Sequence, residues 1–239
     1  MRSYAVEVAL IAAAALLALI YLTPDPTPFG LHNPGPLGAS QVSQICNITS
    51  PKDASVVIVA PGAQTPKLRP GLVAVLLGPD NKTLEELGVD IRVLSGAVTD
   101  SSLNALNPDY PLAEAGNYSI ALYRPHPLAV GPLARALALT SPLSEWRGAQ
   151  GPFAVAAEQY VGGAEVIVVS SPYAFTNALL DMAQNAQWLR SICRGRPAAY
   201  LGGVVDARAA LWRAVRSAPQ AIVLIPLLAA LISIWRRKS

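Results

Sequence analysis

The sequence predicts one α/β domain held between two membrane-spanning helices, and three observations predict it. Residues 54–60 (ASVVIVA) and 72–77 (LVAVLL) are largely apolar runs without polar alternation, each closed by a turn, Pro61-Gly62 and Gly78-Pro79-Asp80. Such runs read as strands buried on both faces of a parallel sheet. Residues 176–192 place Ala178, Leu179, Met182, Ala186 and Leu189 on one face at helical spacing. The apolar excess, 52% of 239 residues against 14% charged, collects at the two chain ends. With a mean hydropathy of +0.38, these proportions exclude a disordered tail or a nucleic-acid arm.

Taken in order, residues 8–22 carry no charge, Pro or Gly, and residues 4–7 extend them to 19 positions. That length crosses a bilayer core of about 30 Å at about 1.5 Å per residue. Glu7 sits at the edge, within reach of headgroups or of Arg2. A cleaved signal peptide shares the charged start and apolar middle, but residues 21–24 (Tyr-Leu-Thr-Pro) lack an A-x-A site, so an uncleaved anchor is expected. Residues 23–38 are rich in Pro and Gly and read as a linker and loop. Residues 39–46 read as a short helix. After the strand at 72–77, residues 82–88 read as a helix capped by Thr83, with Glu85 and Glu86 in its first turn. Residues 91–94, 119–123 and 136–139 read as short strands. Residues 153–160 and 165–170 flank Val161-Gly162-Gly163, a hairpin signal. Residues 218–235 form the second apolar segment, followed by Arg236, Arg237 and Lys238, an interface anchor with Trp235. A buried core helix is the alternative for this segment. The domains are therefore drawn as an anchor at 1–23, an outer α/β domain at 24–207, and a juxtamembrane and membrane helix with a basic tail at 208–239.

Arg2 precedes the first span and no Lys or Arg follows it until Lys52, which places both termini in the cytoplasm and the domain outside. Arg208, Arg213 and Arg216, just before the second span, weigh against that orientation. Setting aside four flanking cations of 18 and Glu7 of 15 acids leaves 14 of each, so the outer domain is formally neutral. The basic cluster from Arg190 to Arg216 attracts anionic lipid or an acidic partner, or is a solvated juxtamembrane face. Cys46 and Cys193 are the only cysteines, and an outside location permits a disulfide; two buried thiols are the alternative. Asn47, Asn81 and Asn117 each begin an N-x-[ST] acceptor pattern for glycosylation.

No nucleotide loop, nucleophile elbow or zinc spacing is present, so no cofactor or metal is expected. The best candidate site is the turn from Ser170 and Ser171 through Tyr173 to Asn177, which joins an apolar strand to a helix, where α/β sheets collect ligands. Ser170 or Ser171 with His126 as base would make a nucleophile pair. Alternatively Ser171, Thr176 and Asn177 satisfy backbone groups at the turn, and His126, in Arg124-Pro-His-Pro-Leu128, bonds its own loop. Asp181, Asn185 and Trp188 face either a partner or solvent. Trp212 and Trp235 mark membrane interfaces or helix contacts.

Three stretches carry a family likeness. Asn33-Pro-Gly-Pro-Leu-Gly38-Ala-Ser40 looks like N-x-G-x-x-G-[ST]-S, Arg124-Pro-His126-Pro-Leu128 like D-H-P-[IL], and the run from Gly162-Gly163 through Ser170-Ser171 to Phe175-Thr-Asn177 like G-G-x-V-V-V-x-x-D-x-x-F-x-N. Asn185-Ala186 matches an N-A pair that follows. Over residues 20–195 the chain resembles an archaeal and bacterial two-anchor membrane family carrying a domain of unknown function. It is similar to the outer domain of gliding-motility-type auxiliary proteins of ABC transporters. The resemblance implies a three-layer, flavodoxin-like or glutamine-amidotransferase-like fold without the amidotransferase nucleophile, and an assembly role beside a MoxR-type ATPase system or an ABC transporter. Ser170 or Ser171 stands where the family carries an acid, and Pro125 displaces the acid before His-Pro, so a ligand held by those carboxylates loses them here. The expected function is a non-catalytic, membrane-anchored binding or scaffold protein whose partners are the bilayer and other membrane proteins, not nucleic acid. Ser170, Ser171, Tyr173, Asn177, His126 and Asn33 are its candidate contacts. An auxiliary transporter subunit and a cell-surface serine hydrolase are the alternatives.

Overall fold

The computed structural model describes residues 2–203 and 207–217. Pro28–Val204 forms one compact unit; the helices at either end of the described chain belong to another.

In the terminal unit, α1 (Arg2–Leu22) is 21 residues long, with no charged residue from Val8 to Leu22. Val8, Ile11, Leu16, Leu19 and Leu22 are exposed on it. The other described helix of this unit, Ala207–Ser217, carries Trp212, whose indole Nε1 donates to the Thr23 carbonyl at 3.0 Å. The Arg216 guanidinium lies over the Trp212 ring at 4.7 Å. Among the residues whose side chains are described, no helix is long and apolar enough to cross a membrane. The second expected span, residues 218–235, and the basic tail with Trp235 lie outside the described residues.

The large unit runs α2 (Val42–Ile45), β1 (Asn47–Ile48), β2 (Val56–Val59), β3 (Val73–Leu77), α3 (Asn81–Glu86) and β4 (Ile91–Val93). Then come β5 (Leu112–Ala115), β6 (Tyr118–Ala121), β7 (Leu128–Val130), β8 (Arg135–Thr140), β9 (Glu145–Trp146) and β10 (Ala149–Gln150). It closes with β11 (Ala154–Val161), β12 (Ala164–Val169), α4 (Asn177–Leu180), α5 (Asn185–Cys193) and β13 (Pro197–Leu201); Ala207–Ser217 is then α6. Nine strands form one sheet in the order β1-β13-β2-β3-β12-β11-β8-β5-β6. The first five are mutually parallel, and the pairings from β12 to β6 are antiparallel. The fold is thus mixed α/β, a parallel half extended by an antiparallel half rather than a wholly parallel sheet.

Alternation along the buried strands builds a core on each face. Val56, Ile58, Val75, Leu77, Ile167 and Val169 join Phe175, Trp188 and Leu189 on one side. Val57, Val59, Leu76, Val166 and Val168 join Leu84 and Ile91 on the other. Because both faces are covered, β2, β3 and β12 carry no polar alternation, the pattern expected of a parallel interior. The turn between β11 and β12 is Gly162-Gly163, with φ of 56° and 80°, the left-handed pair a two-residue hairpin requires.

Two local expectations are corrected. The cap of α3 is Asp80, not Thr83: its carboxylate accepts from the Thr83 backbone N–H at 2.7 Å. That bond, with one from the Thr83 side chain, holds the Asp80 carboxyl below the usual range. The single helix expected over 176–192 is two, α4 and α5, broken where Ala183 takes φ 47°. The break lets Asn185 turn inward. Its Oδ1 accepts from Ala121 N and its Nδ2 donates to Ala121 O, both at 2.8 Å, so the amide acts as a one-residue strand on β6, the edge of the sheet. Asn185 and Trp188 are buried, so neither faces a partner or solvent.

Asp100 organises the loop before β5. It is buried and accepts from Ser102 N, Leu103 N and the Ser141 hydroxyl. Burial opposes its charge, but the bonds from Ser141, Leu103 and Ser102 outweigh burial and hold the carboxyl below its ordinary 3.8. A carboxyl with a depressed folded pKa stabilises the fold above its unfolded pKa, and that contribution is lost as pH falls through the folded value. Urea midpoints measured from pH 6 down to pH 2.5 should therefore fall more steeply in the wild type than in Asp100→Asn, which keeps the acceptor oxygen without the titration.

Candidate functional site

The carboxyl ends of the parallel strands bring together Ala60-Pro61-Gly62 after β2, Gly78-Pro79-Asp80 after β3 and Ser170-Ser171-Pro172 after β12. Gly78 has φ 55°, and a Cβ there would lie 2.8 Å from Pro172 Cβ, so the β3 and β12 turns touch through a missing side chain. Beside them lies a crevice of about 290 Å³ lined by Ala60, Pro61, Gly62, Gly78, Asp80 and Thr83.

Most of the polar side chains expected to carry chemistry are spent on the backbone. Ser171 Oγ donates to the Tyr123 carbonyl at 2.8 Å, and His126 Nδ1 donates to the Leu94 carbonyl at 3.2 Å. Each bonds a main-chain oxygen rather than the other, so the serine–histidine pair is not formed through Ser171. Ser170 Oγ is buried without a hydrogen-bond partner. Asn177 and Asn33, far apart in sequence, meet. Asn177 Nδ2 donates to Asn33 O at 3.0 Å and Gly35 O at 2.8 Å, and its Oδ1 accepts from Gln41 N at 3.0 Å. Its backbone N–H bonds Gly38 O at 2.7 Å. Asn33 Oδ1 in turn accepts from Gly35 N. Gly38 is obligatory here, because a Cβ would stand 1.9 Å from Asn33 O. These bonds fasten the Pro/Gly loop 33–41 to the start of α4, which is an architectural duty.

Tyr173 is different. Its ring lies 5.4 Å from Phe29 and 5.3 Å from Tyr123, and Tyr123 lies 4.9 Å from Tyr110. The four rings make a continuous ladder, and its three tyrosines line a cavity of about 280 Å³ together with Leu37, Thr176, Ala178 and Leu179. The lining carries no charge. Thr176 Oγ1 is used on Tyr173 O, whereas the hydroxyls of Tyr110, Tyr123 and Tyr173 have no protein partner among the described residues. The pocket can therefore stack an apolar face on aromatic rings and donate hydrogen bonds to it.

Tyr110 and Tyr123 are the residues that the sequence did not flag. One signal was present: β5 and β6 pair Leu112 with Ala121 and Ala115 with Tyr118 about Gly116-Asn117. Tyr110 and Tyr123 are equidistant from that turn, so the hairpin register lays them on each other.

Cys46 and Cys193 are joined in a disulfide with Cα atoms 5.8 Å apart. Asn47 and Asn117 are exposed, Asn117 at the β5–β6 turn. Asn81 is exposed too, but its side-chain amide pairs with Val93, donating to its carbonyl at 3.1 Å and accepting from its N–H at 2.7 Å. Among the described residues no group of three His, Cys, Asp or Glu could hold a metal ion.

A family model described as "Domain of unknown function (DUF4350)" matches residues 4–192. No curated protein gives a significant match. A solved structure, the "mmIFT52 N-terminal domain", is similar at 18% identity and a TM-score of 0.36, over 50% of this chain and 65% of that one.

Proposed function

The chain belongs to the family described as a domain of unknown function (DUF4350), and we propose that it is a non-catalytic, membrane-anchored binding or scaffold protein. One observation carries the reading. Around the strand ends Ser171, His126, Asn177 and Asn33 are engaged with the protein itself, while the Tyr110–Tyr123–Tyr173 ladder keeps three hydroxyls and its cavity open to a ligand. That distribution suits recognition rather than proton transfer, which needs a base within reach of its acid or nucleophile.

The membrane half of the proposal rests on sequence. Residues 8–22 carry no charged side chain and residues 4–7 extend them to 19 positions, about 28 Å at about 1.5 Å per residue, and residues 218–235 form a second uncharged segment before a basic stop. The flanking charges support a two-pass arrangement with both termini cytoplasmic and the domain outside, and the Cys46–Cys193 disulfide suits an oxidising exterior. The glutamine-amidotransferase-like likeness belongs to this proposal, as does a place beside a MoxR-type ATPase or an ABC transporter. Both rest on the motifs at 33–40, 124–128 and 162–177.

The test is photo-crosslinking in native membranes from Leu37, which is half-exposed at the pocket rim, followed by gentle detergent extraction and mass spectrometry. Recovery of defined membrane proteins supports the scaffold reading. Recovery of the chain alone, at monomer mass, contradicts it.

A further inference from the structure

We infer that the tyrosine pocket takes a proline-rich segment of a partner protein in the polyproline II conformation; this deepens the binding reading above and rests on it. The first argument is chemical. A polyproline II strand has no internal hydrogen bonds, and a proline offers a carbonyl acceptor but no N–H. A complementary surface must therefore supply aromatic faces for the pyrrolidine rings and a few donors for the carbonyls. The pocket supplies those two things: a tilted and an edge-to-face pair of tyrosine rings, and three phenol hydroxyls without protein partners among the described residues. It has no lining carboxylate, amide or guanidinium, the planar groups that would satisfy the many hydroxyls of a sugar, and no charge for an ionic ligand.

The second argument is spacing. Two steps along the ladder, Tyr110 to Tyr173, reach at most about 10 Å, against about 9 Å for one turn of polyproline II. Each step, 4.9 and 5.3 Å, is longer than the rise of one polyproline II residue, about 3.1 Å, and shorter than that of two, so successive rings meet residues one to two apart along such a strand.

The third argument is continuity with an interface the chain has already built. The proline- and glycine-rich loop 28–38 lies along the same elements. Phe29 packs against Tyr173 with the two rings tilted at 45°, Ala178 N donates to the Pro36 carbonyl at 3.1 Å, and Asn177 Nδ2 donates to the carbonyls of Asn33 and Gly35. Leu37, the last side chain of that loop to reach the surface, is one wall of the pocket. The start of α4 therefore holds one proline-rich backbone in cis through donors to its carbonyls, and the open ladder continues that surface for a second.

The experiment uses the full chain in detergent micelles and a fluorescein-labelled octaproline peptide, read by anisotropy, with a Gly-Ser octapeptide and maltohexaose as comparisons. Saturable octaproline binding is expected, with no binding of the Gly-Ser peptide and no displacement by maltohexaose. Tyr123→Ala and Tyr110→Ala should each weaken binding about tenfold, and Tyr123→Phe should weaken it less, by the loss of one donor. Tyr110→Ala keeps the test usable if removal of the central ring disturbs folding, and the wild-type unfolding midpoint identifies a folded variant. Absence of saturable octaproline binding, or displacement by maltohexaose, overturns the peptide assignment. If octaproline fails while crosslinks from Leu37 still capture a partner, that assignment alone falls. If both fail, the binding reading falls with it.

Discussion

Cys46→Ala/Cys193→Ala is expected to lower the stability of the α/β unit by about 2–5 kcal/mol, a drop of about 5–15 °C in unfolding midpoint. The bond spans 147 residues of sequence, and in the chain-entropy account a loop of that length constrains the unfolded chain by about 5 kcal/mol. Its position adds to the effect. Cys46 follows α2 and Cys193 ends α5, both are buried in the same core, and β1 starts at the next residue after Cys46 and β13 at Pro197, past the turn that follows Cys193, the two strands pairing at the sheet edge. Thermal unfolding with and without reductant checks this: reductant should lower the wild-type midpoint to near that of the double variant and leave the variant unmoved. Equal midpoints throughout would show that the crosslink contributes nothing to the native fold.

Asn177 should be the most sensitive single polar position. Asn177→Ala removes the donor to Asn33 O and Gly35 O and the acceptor for Gln41 N, leaving buried main-chain groups unpaired, at a cost of about 3 kcal/mol. Asn177→Asp should cost more at neutral pH, because a carboxylate would point at two carbonyl oxygens 2.8–3.0 Å from the former amide nitrogen. The sign of its pH dependence follows. The fold favours the protonated acid, so the folded pKa of the introduced carboxyl lies above the unfolded value. The penalty is absent below the unfolded value, near 4, and grows as pH rises through the range up to the folded pKa. Urea midpoints of Asn177→Asp and Asn177→Ala, compared from pH 4 to pH 8, should diverge on the alkaline side. Coincident curves would mean that the amide does not hold the loop.

What the sequence disclosed follows from which signals are local. β2, β3 and β12 were legible because burial on both faces leaves an uninterrupted apolar run with turn residues after it. The Gly162-Gly163 hairpin was legible because only glycine-type conformations close a two-residue turn there. β13 was missed. Its Pro-Ala-Ala-Tyr-Leu sequence is short and alanine-rich, and it becomes a strand only because β1 and β2 flank it. The split between α4 and α5 was missed because an apolar face at helical spacing outweighs one alanine in a left-handed conformation, and the need for the break, Asn185 reaching Ala121, is a long-range demand. At the candidate site, Ser171, Asn177 and His126 were located, and the backbone-bonding alternative describes what they do. Tyr173 was located, but its ladder was not, since it is assembled from a loop, a hairpin and a strand end.

The central claim, a binding domain that works through the tyrosine ladder, is tested most directly by site-specific photo-crosslinking in native membranes from Leu37 and, as comparison, from Lys82 on α3. Leu37 lines the pocket, whereas Lys82 is exposed on the helix whose Leu84 packs into the opposite core. The account predicts a defined crosslinked partner from Leu37 that is absent from Lys82 and is lost when Tyr123→Ala is combined with the Leu37 probe. Crosslinks of equal yield from both positions, or none from Leu37, would contradict it.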